Sequence, residues 1–246
     1  MGEGEDIASL AIGILVGLTL RVHRISMGMA QAYLIETEEG LLLVDAGSKG
    51  FEQRVLKLMH SLGRNDLRLI FISHAHADHY GSAAALRRLT GATVAIHGLD
   101  ARIMSLGETP LGSARGRGWL MKSLFPFLFL LRFFRLEPTP PDRLLEDGES
   151  LAGFGLNASI IHLPGHTPGS ACLLVEDHLS FVGDLLSTNG RPRVQRYYAH
   201  DWSSISSTLA RLQALQSDWI YPGHGSRPLD GQSFQKLAIE YLRSNI

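Results

Sequence analysis

Apolar positions along this chain follow two different periods. Residues 21–25, 30–36 and 41–45 are short aliphatic runs, and Glu38-Glu39-Gly40 separates the second from the third, so three consecutive strands with a hairpin turn are expected. The period then lengthens. Phe51, Val55, Leu58, Met59 and Leu62 recur at helical spacing and Gly63 supplies a stop. Residues 67–73 predict a strand, 82–89 a helix and 93–97 another short strand. In the second half, 156–163, 170–176 and 178–183 are strand-like, and 202–216 carries Ile205, Leu209, Leu212 and Leu215 on one helical face. A short strand at 219–221 and a helix at 234–242 close the pattern. Two strand-rich halves, each closed by helices, predict an α/β protein of two sheets packed face to face with helices outside.

Two stretches break this pattern. Residues 7–20 are apolar but follow Glu3, Glu5 and Asp6 instead of a basic segment, which argues against a secretory signal, and they are short for a bilayer span of about 20 residues. Residues 1–20 therefore read as an apolar N-terminal extension to a domain covering 21–246, its form being a buried strand, a docking helix or a segment outside the fold. The second stretch, 119–136, opens on Trp119, closes on Leu136 and is apolar nearly throughout, with only Lys122, Arg132 and Arg135 charged and Pro126 interrupting any single helix. Glycine-bearing residues before it and Pro138 to Pro141 after it mark linkers, so an insert at about 112–141 is expected to form a helical flap on the core. Its functional readings are a lid, an apolar wall in which Phe125 and Phe129 touch substrate, a homodimer contact, or a membrane-surface element running from Trp119 to Leu136.

Composition narrows the field. With 246 residues, 45% of them hydrophobic, the chain can bury a substantial core in one domain. A formal net charge of −1 provides no global basic field, so nucleic acid is not an expected partner and a small-molecule substrate is. Cys172 is the only cysteine, which excludes an intrachain disulfide and an all-thiolate metal site. It sits in an apolar run and reads as a small buried hydrophobe. A reducing, cytoplasmic location is the expectation, with peripheral membrane association through the insert as its variant.

The chemistry concentrates in His74-Ala-His76-Ala-Asp78-His79, directly after the apolar run that ends at Ile72. Imidazole and carboxylate are the ligand types that Zn²⁺ and similar ions take, and packing gives no reason to gather four such groups where a buried strand ends. His74 and His76, two residues apart on an extended strand end, project to one side. Asp78 and His79 follow a turn and aim elsewhere, so the spacing suggests one pair of ligands for each of two ions. Further ligands are available in His166 of His162-Leu-Pro-Gly-His166, in Asp184 after Gly183, and in His224 of Tyr221-Pro-Gly-His224-Gly225.

In their order and context these residues, with Asp45 in Leu43-Val-Asp-Ala-Gly47, resemble the metallo-β-lactamase superfamily, over roughly residues 21–227. The resemblance implies an αββα four-layer sandwich with a dinuclear site at one edge. It implies that His74, His76 and His166 hold a first ion, that Asp78, His79 and His224 hold a second, that Asp184 bridges them, and that Asp45 orients the ligands. Two divalent ions, Zn²⁺ foremost with Fe or Mn as alternatives, would share a hydroxide nucleophile and support hydrolysis. Asp78 could also steer protons.

Departures from the family's branches point to the substrate. True β-lactamases carry cysteine where Asp184 stands, so the glyoxalase II and lactonase-like branch fits better, with a small ester, lactone or thioester as substrate. Only 22 residues follow His224, which argues against the helical domain that binds a glutathione thioester in glyoxalase II. Lactonases carry a tyrosine shortly after the bridging aspartate; here Leu185 to Thr188 follow, leaving Tyr80, Tyr197 and Tyr198 as candidate leaving-group donors. Arg191 and Arg193 form a basic patch that could anchor a carboxylate or phosphate. Phosphodiester or phosphotriester hydrolysis at the same metals, and a metal-binding interaction protein without turnover, are the alternatives.

Overall fold

The computed structural model describes residues 7–10, 20–120, 122–123 and 136–244. In chain order the first half contains β1 (Ile7–Leu10), β2 (Arg21–Met27), β3 (Ala30–Glu36), β4 (Leu41–Val44), α1 (Glu52–Ser61), β5 (Leu67–Ile72), α2 (Ala77–Tyr80), α3 (Ala83–Thr90), β6 (Thr93–His97), α4 (Gly98–Leu106), β7 (Ser113–Ala114) and β8 (Arg143–Leu145). The second half contains β9 (Ala158–His162), β10 (Ala171–Val175), β11 (Leu179–Ser187), β12 (Arg193–Val194), β13 (Tyr198–Ala199), α5 (Ser204–Ala214), β14 (Trp219–His224), β15 (Leu229–Asp230) and α6 (Gly231–Ser244). Seven strands form one sheet in the order β1-β2-β3-β4-β5-β6-β8, and a second sheet runs β15-β14-β11-β10-β9 with β12 beside β11.

Continuous aliphatic runs such as Leu41–Val44 arise because both faces of these sheets are covered. Leu41 and Leu43 belong to an outer core with Val55, Leu58 and Met59 of α1 and Leu86 of α3. Leu42 and Val44 point the other way, into a core between the sheets with Leu173, Val175 and Phe181. Cys172, Val182 and Ile220 face a third core with Ile205, Leu209 and Leu212 of α5 and Phe234 of α6. Alternation along each strand thus builds four layers, helix, sheet, sheet, helix, as the sequence implied. At the centre, Tyr33 meets Phe181 and Tyr221 with ring centroids 5.4 and 5.2 Å away. Its hydroxyl donates to the Pro222 carbonyl at 2.7 Å, joining the two sheets.

The order of strands positions the site. β4, β5, β6 and β8 are mutually parallel, so the segments that follow β4, β5 and β6 leave the first sheet at one edge. β14 runs parallel to β11 in the second sheet, delivering His224 beside the end of β11. Some elements differ from the sequence expectation. β11 continues through Asp184 to Ser187, and its register against β14 shifts at Gly183. Gly183 adopts φ +51°, and a Cβ there would lie 2.7 Å from Ser73 Oγ, so this irregularity needs glycine. α4 escaped the sequence pattern because it opens on Gly98 and exposes Leu99 and Leu106, leaving no clean apolar stripe.

The N-terminal extension contributes β1, which pairs antiparallel with β2 from Ile7 opposite Ile25 to Leu10 opposite Val22. The insert opens with β7, which pairs with β13, and its described end returns to the outer core at Leu136. Most of its apolar stretch, including Phe125 and Phe129, lies outside the described residues. No described helix is long and apolar enough to cross a membrane.

Candidate metal centre

β5 ends at Ile72, and the chain then passes through Ser73 to His76 before turning into α2. His76 keeps an extended backbone as the residue capping α2, whereas Asp78 and His79 lie in the helix. The two pairs therefore diverge. His76 Nδ1 lies 3.1 Å from His74 Nε2 and 3.0 Å from His166 Nε2, which arrives on the loop after β9. On the other side, Asp78 Oδ2 lies 3.4 Å from His224 Nε2 and 3.9 Å from His79 Nε2. Asp184 stands between the trios. One oxygen is 3.2 Å from His79 Nε2; the other is 3.2 Å from His224 Nε2 and 3.5 Å from His166 Nε2. His74-His76-His166 and Asp78-His79-His224 each converge closely enough to hold one ion, as do His74, His79 and Asp184. Nitrogen ligands about 2.0–2.1 Å from a tetrahedral ion are separated by similar distances.

Hydrogen bonds to the outward ring nitrogens set the tautomers. A carbonyl or carboxylate oxygen accepts only, so the nitrogen facing it carries the proton and leaves the opposite nitrogen a lone pair. His76 Nε2 donates to Pro110 O (2.9 Å), His166 Nδ1 to Tyr198 O (3.1 Å), His224 Nδ1 to Met29 O (2.9 Å) and His79 Nδ1 to Asp45 Oδ2 (2.8 Å). The Ser73 hydroxyl donates to Asp45 and accepts from His74 Nδ1 at 3.0 Å. Every histidine of the two trios thus directs inward the nitrogen that can offer a lone pair once any proton on it is displaced. Asp45, whose φ is +59°, also receives the Ser73 N–H at 2.7 Å.

This donor set fits a cation. His79 Nε2 and Asp184 Oδ1 are both buried and without a hydrogen-bond partner although 3.2 Å apart. Two buried polar atoms at that distance require a shared proton or a metal ion between them. Burial, reinforced by the neighbouring imidazoles, holds His74 well below the usual histidine range and His166 at about 3. Burial also lowers His76 against the opposing pull of Asp78. These three are neutral and ready to ligate. Burial disfavours charge on His79 and His224 too, but Asp184 outweighs it, raising His79 well above its ordinary value and His224 to about 9. Burial opposes ionisation of Asp184, yet His224 and His79 overcome it and hold the carboxyl well below its usual range.

A cavity of about 460 Å³ opens on this cluster, lined by Asp78, Asp184 and His224 and by Arg193, Tyr197 and Tyr198. The other sequence candidates lie elsewhere. Tyr80 is buried in the outer core, and its hydroxyl donates to Glu108 O at 2.6 Å, away from the cavity. Arg191 is exposed and absent from the lining, where Arg196 stands instead. Arg196 donates to the Tyr197 hydroxyl at 2.7 Å, and the Tyr198 hydroxyl is buried without a partner. Trp119 and Leu120, at the start of the apolar insert, are exposed.

Several residues of the centre carry no motif. Gln195 lies 3.0 Å from His166 Nδ1 and donates to Asp184 O at 3.1 Å. Asp100, buried in the first turn of α4, accepts hydrogen bonds from both histidine loops. An aspartate near a helix N-terminus is too common a pattern to have marked it.

A four-layer α/β fold with two trios of imidazole and carboxylate donors at one edge defines a metallo-hydrolase. The chain belongs to the metallo-beta-lactamase superfamily, whose profile matches residues 26–224. It is 31% identical over 212 residues to hydroxyacylglutathione hydrolase GloC of Haemophilus influenzae, covering 85% of this chain and 90% of that protein. It is 26% identical over 186 residues to the probable polyketide biosynthesis zinc-dependent hydrolase BaeB of Bacillus velezensis, covering 74% of this chain and 65% of that one. The crystal structure of TTHA1623 in a di-iron-bound form matches with a TM-score of 0.66 at 28% identity, covering 87% of this chain and 97% of that chain.

Proposed function

We propose that the protein is a dinuclear metal-dependent hydrolase of small thioesters or esters. The observation that carries this reading is Asp184, whose two oxygens face both donor trios. Divalent ions bound there would supply Lewis acidity, both to acidify a water and to polarise an acyl oxygen.

The chain's own residues do the rest. Asp45 and the backbone carbonyls of Pro110, Tyr198 and Met29 keep the imidazoles oriented, so no reorganisation is needed when substrate arrives. Asp78, partly exposed in the cavity, is placed to accept a proton there. Leu111, Leu186 and Val194 make part of the wall apolar, as an acyl group requires.

Thioesters stand first because of the Haemophilus relative. Its name carries hydrolysis of hydroxyacylglutathione, and it is matched over 90% of its length, so the short segment after His224 does not argue against such substrates.

Metal analysis should give about two ions per chain, and the loaded protein should hydrolyse thioesters in a panel that also contains lactones, aryl esters and phosphodiesters. His76→Ala and Asp184→Ala should each lower kcat/KM by at least about a hundredfold while leaving the far-ultraviolet circular dichroism unchanged. Full activity in both variants, or turnover of phosphodiesters alone, would overturn the proposal.

A further inference from the structure

The three-histidine trio is assembled from two loops far apart in the chain, the one after β5 and the one after β9. A single buried carboxylate joins them. Asp100 Oδ2 accepts the N–H of Ala75, the residue between His74 and His76, at 2.9 Å. The same oxygen accepts the hydroxyl of Thr167, the residue after His166, at 2.7 Å. Oδ1 accepts the N–H of Gly169 at 2.7 Å. Asp100 is 1% exposed and contacts no histidine of the centre through these bonds.

The second loop is shaped to receive this carboxylate. A Cβ at Gly169 would stand 2.7 Å from both Asp100 Cγ and Asp100 N, so only glycine lets the backbone come this close. The other trio has separate supports. His79 is held by Asp45 and His224 by Met29 O, and none of these bonds involves Asp100.

We infer that Asp100 is a positioning residue that sets the spacing of the two histidine loops and so tunes the affinity of the His74-His76-His166 site alone. This rests on the reading of two ions at the centre. Hydrogen-bonded partners outside the ligands typically alter metal affinity by about 10–100-fold. Asp100→Asn keeps the side-chain volume but turns one acceptor oxygen into an NH₂ group facing a backbone N–H. Thr167→Val removes one hydroxyl donor and leaves the carboxylate intact.

The test is a competition titration of the metal-free, full-length protein with Zn²⁺ against a chromophoric chelator, together with Co²⁺ absorption spectra. Wild type should show two binding steps, assigned by His224→Ala, which removes a ligand of the other site. Asp100→Asn should weaken only the three-histidine step, by about 10–100-fold, and shift its Co²⁺ spectrum. Thr167→Val should weaken the same step severalfold. Equal weakening of both steps would mark Asp100 as merely structural and overturn the inference, as would unchanged affinity in both variants. If Asp100→Asn does not fold, Thr167→Val decides alone, its unchanged affinity counting against the inference. Uptake of one ion by wild type would refute the two-ion reading, and the Asp100 comparison would then be judged on that single ion, with unchanged affinity again overturning it.

Discussion

Asp45 shows how much one side chain does at this centre. It orients His79 directly and His74 through Ser73, from a backbone conformation that asparagine tolerates and most residues do not. Asp45→Asn should therefore fold normally yet bind metal about 10–100-fold more weakly in a chelator titration. The histidines themselves predict an unusual pH profile for the metal-free chain. His74, His76 and His166 are depressed, so they favour the folded state above the ordinary histidine value of about 6.5 and lose that contribution as pH falls. His79 and His224 are raised, so their contribution is complete below about 6.5 and declines as pH rises above it, that of His224 being lost through about 9. Thermal melts of metal-free protein should give the highest Tm near pH 6.5, and bound metal should abolish the alkaline decline. A monotonic profile would contradict these protonation states. The clustered residues from His74 to His79 were legible in sequence because ligand chemistry is dense there. Asp100 was not, since its role lies in backbone N–H groups that sequence does not display.

At the level of elements, the aliphatic runs located the main strands and the helical spacing located α1, α3, α5 and α6. Ends were harder to read. The expected strand at 178–183 runs on to Ser187, because a glycine with positive φ lets β11 bend without ending, and that bend turns Asp184 toward the histidines. Gly183→Ala should cost about 1–3 kcal/mol in urea unfolding from backbone conformation alone. Pressure on Ser73 adds to this, so the variant should also retain less metal after dialysis. α4 and β8 were missed for different reasons. α4 exposes its leucines, and β8 is a three-residue strand that among the described residues pairs with β6 alone.

For the molecule as a whole, four layers were inferable because both halves alternate strands with helices, and burial on both faces leaves aliphatic runs that need partners on each side. That the sheets face each other was therefore expected, but the contacts that lock them together were not, since they join residues such as Tyr33 and Pro222 separated by most of the chain. Tyr33→Phe leaves the Pro222 carbonyl without its donor and should lower stability by about 1–3 kcal/mol in urea titration, with little change in metal content. A larger loss of metal than of stability would show that this contact serves the centre more than the fold.

The placement of β14 also has a consequence for synthesis. His224 emerges from the ribosome after every other donor of the centre, on a strand that pairs with β11, already made, and with β15, which follows it. A nascent chain therefore carries His74, His76 and His166 together before it can complete the Asp78-His79-His224 trio. Chains halted just short of residue 224 should capture one ion in pull-down on a metal resin and release it more readily than the finished protein. Assembly of the second donor trio thus waits on β14, one of the last strands of the domain to be made.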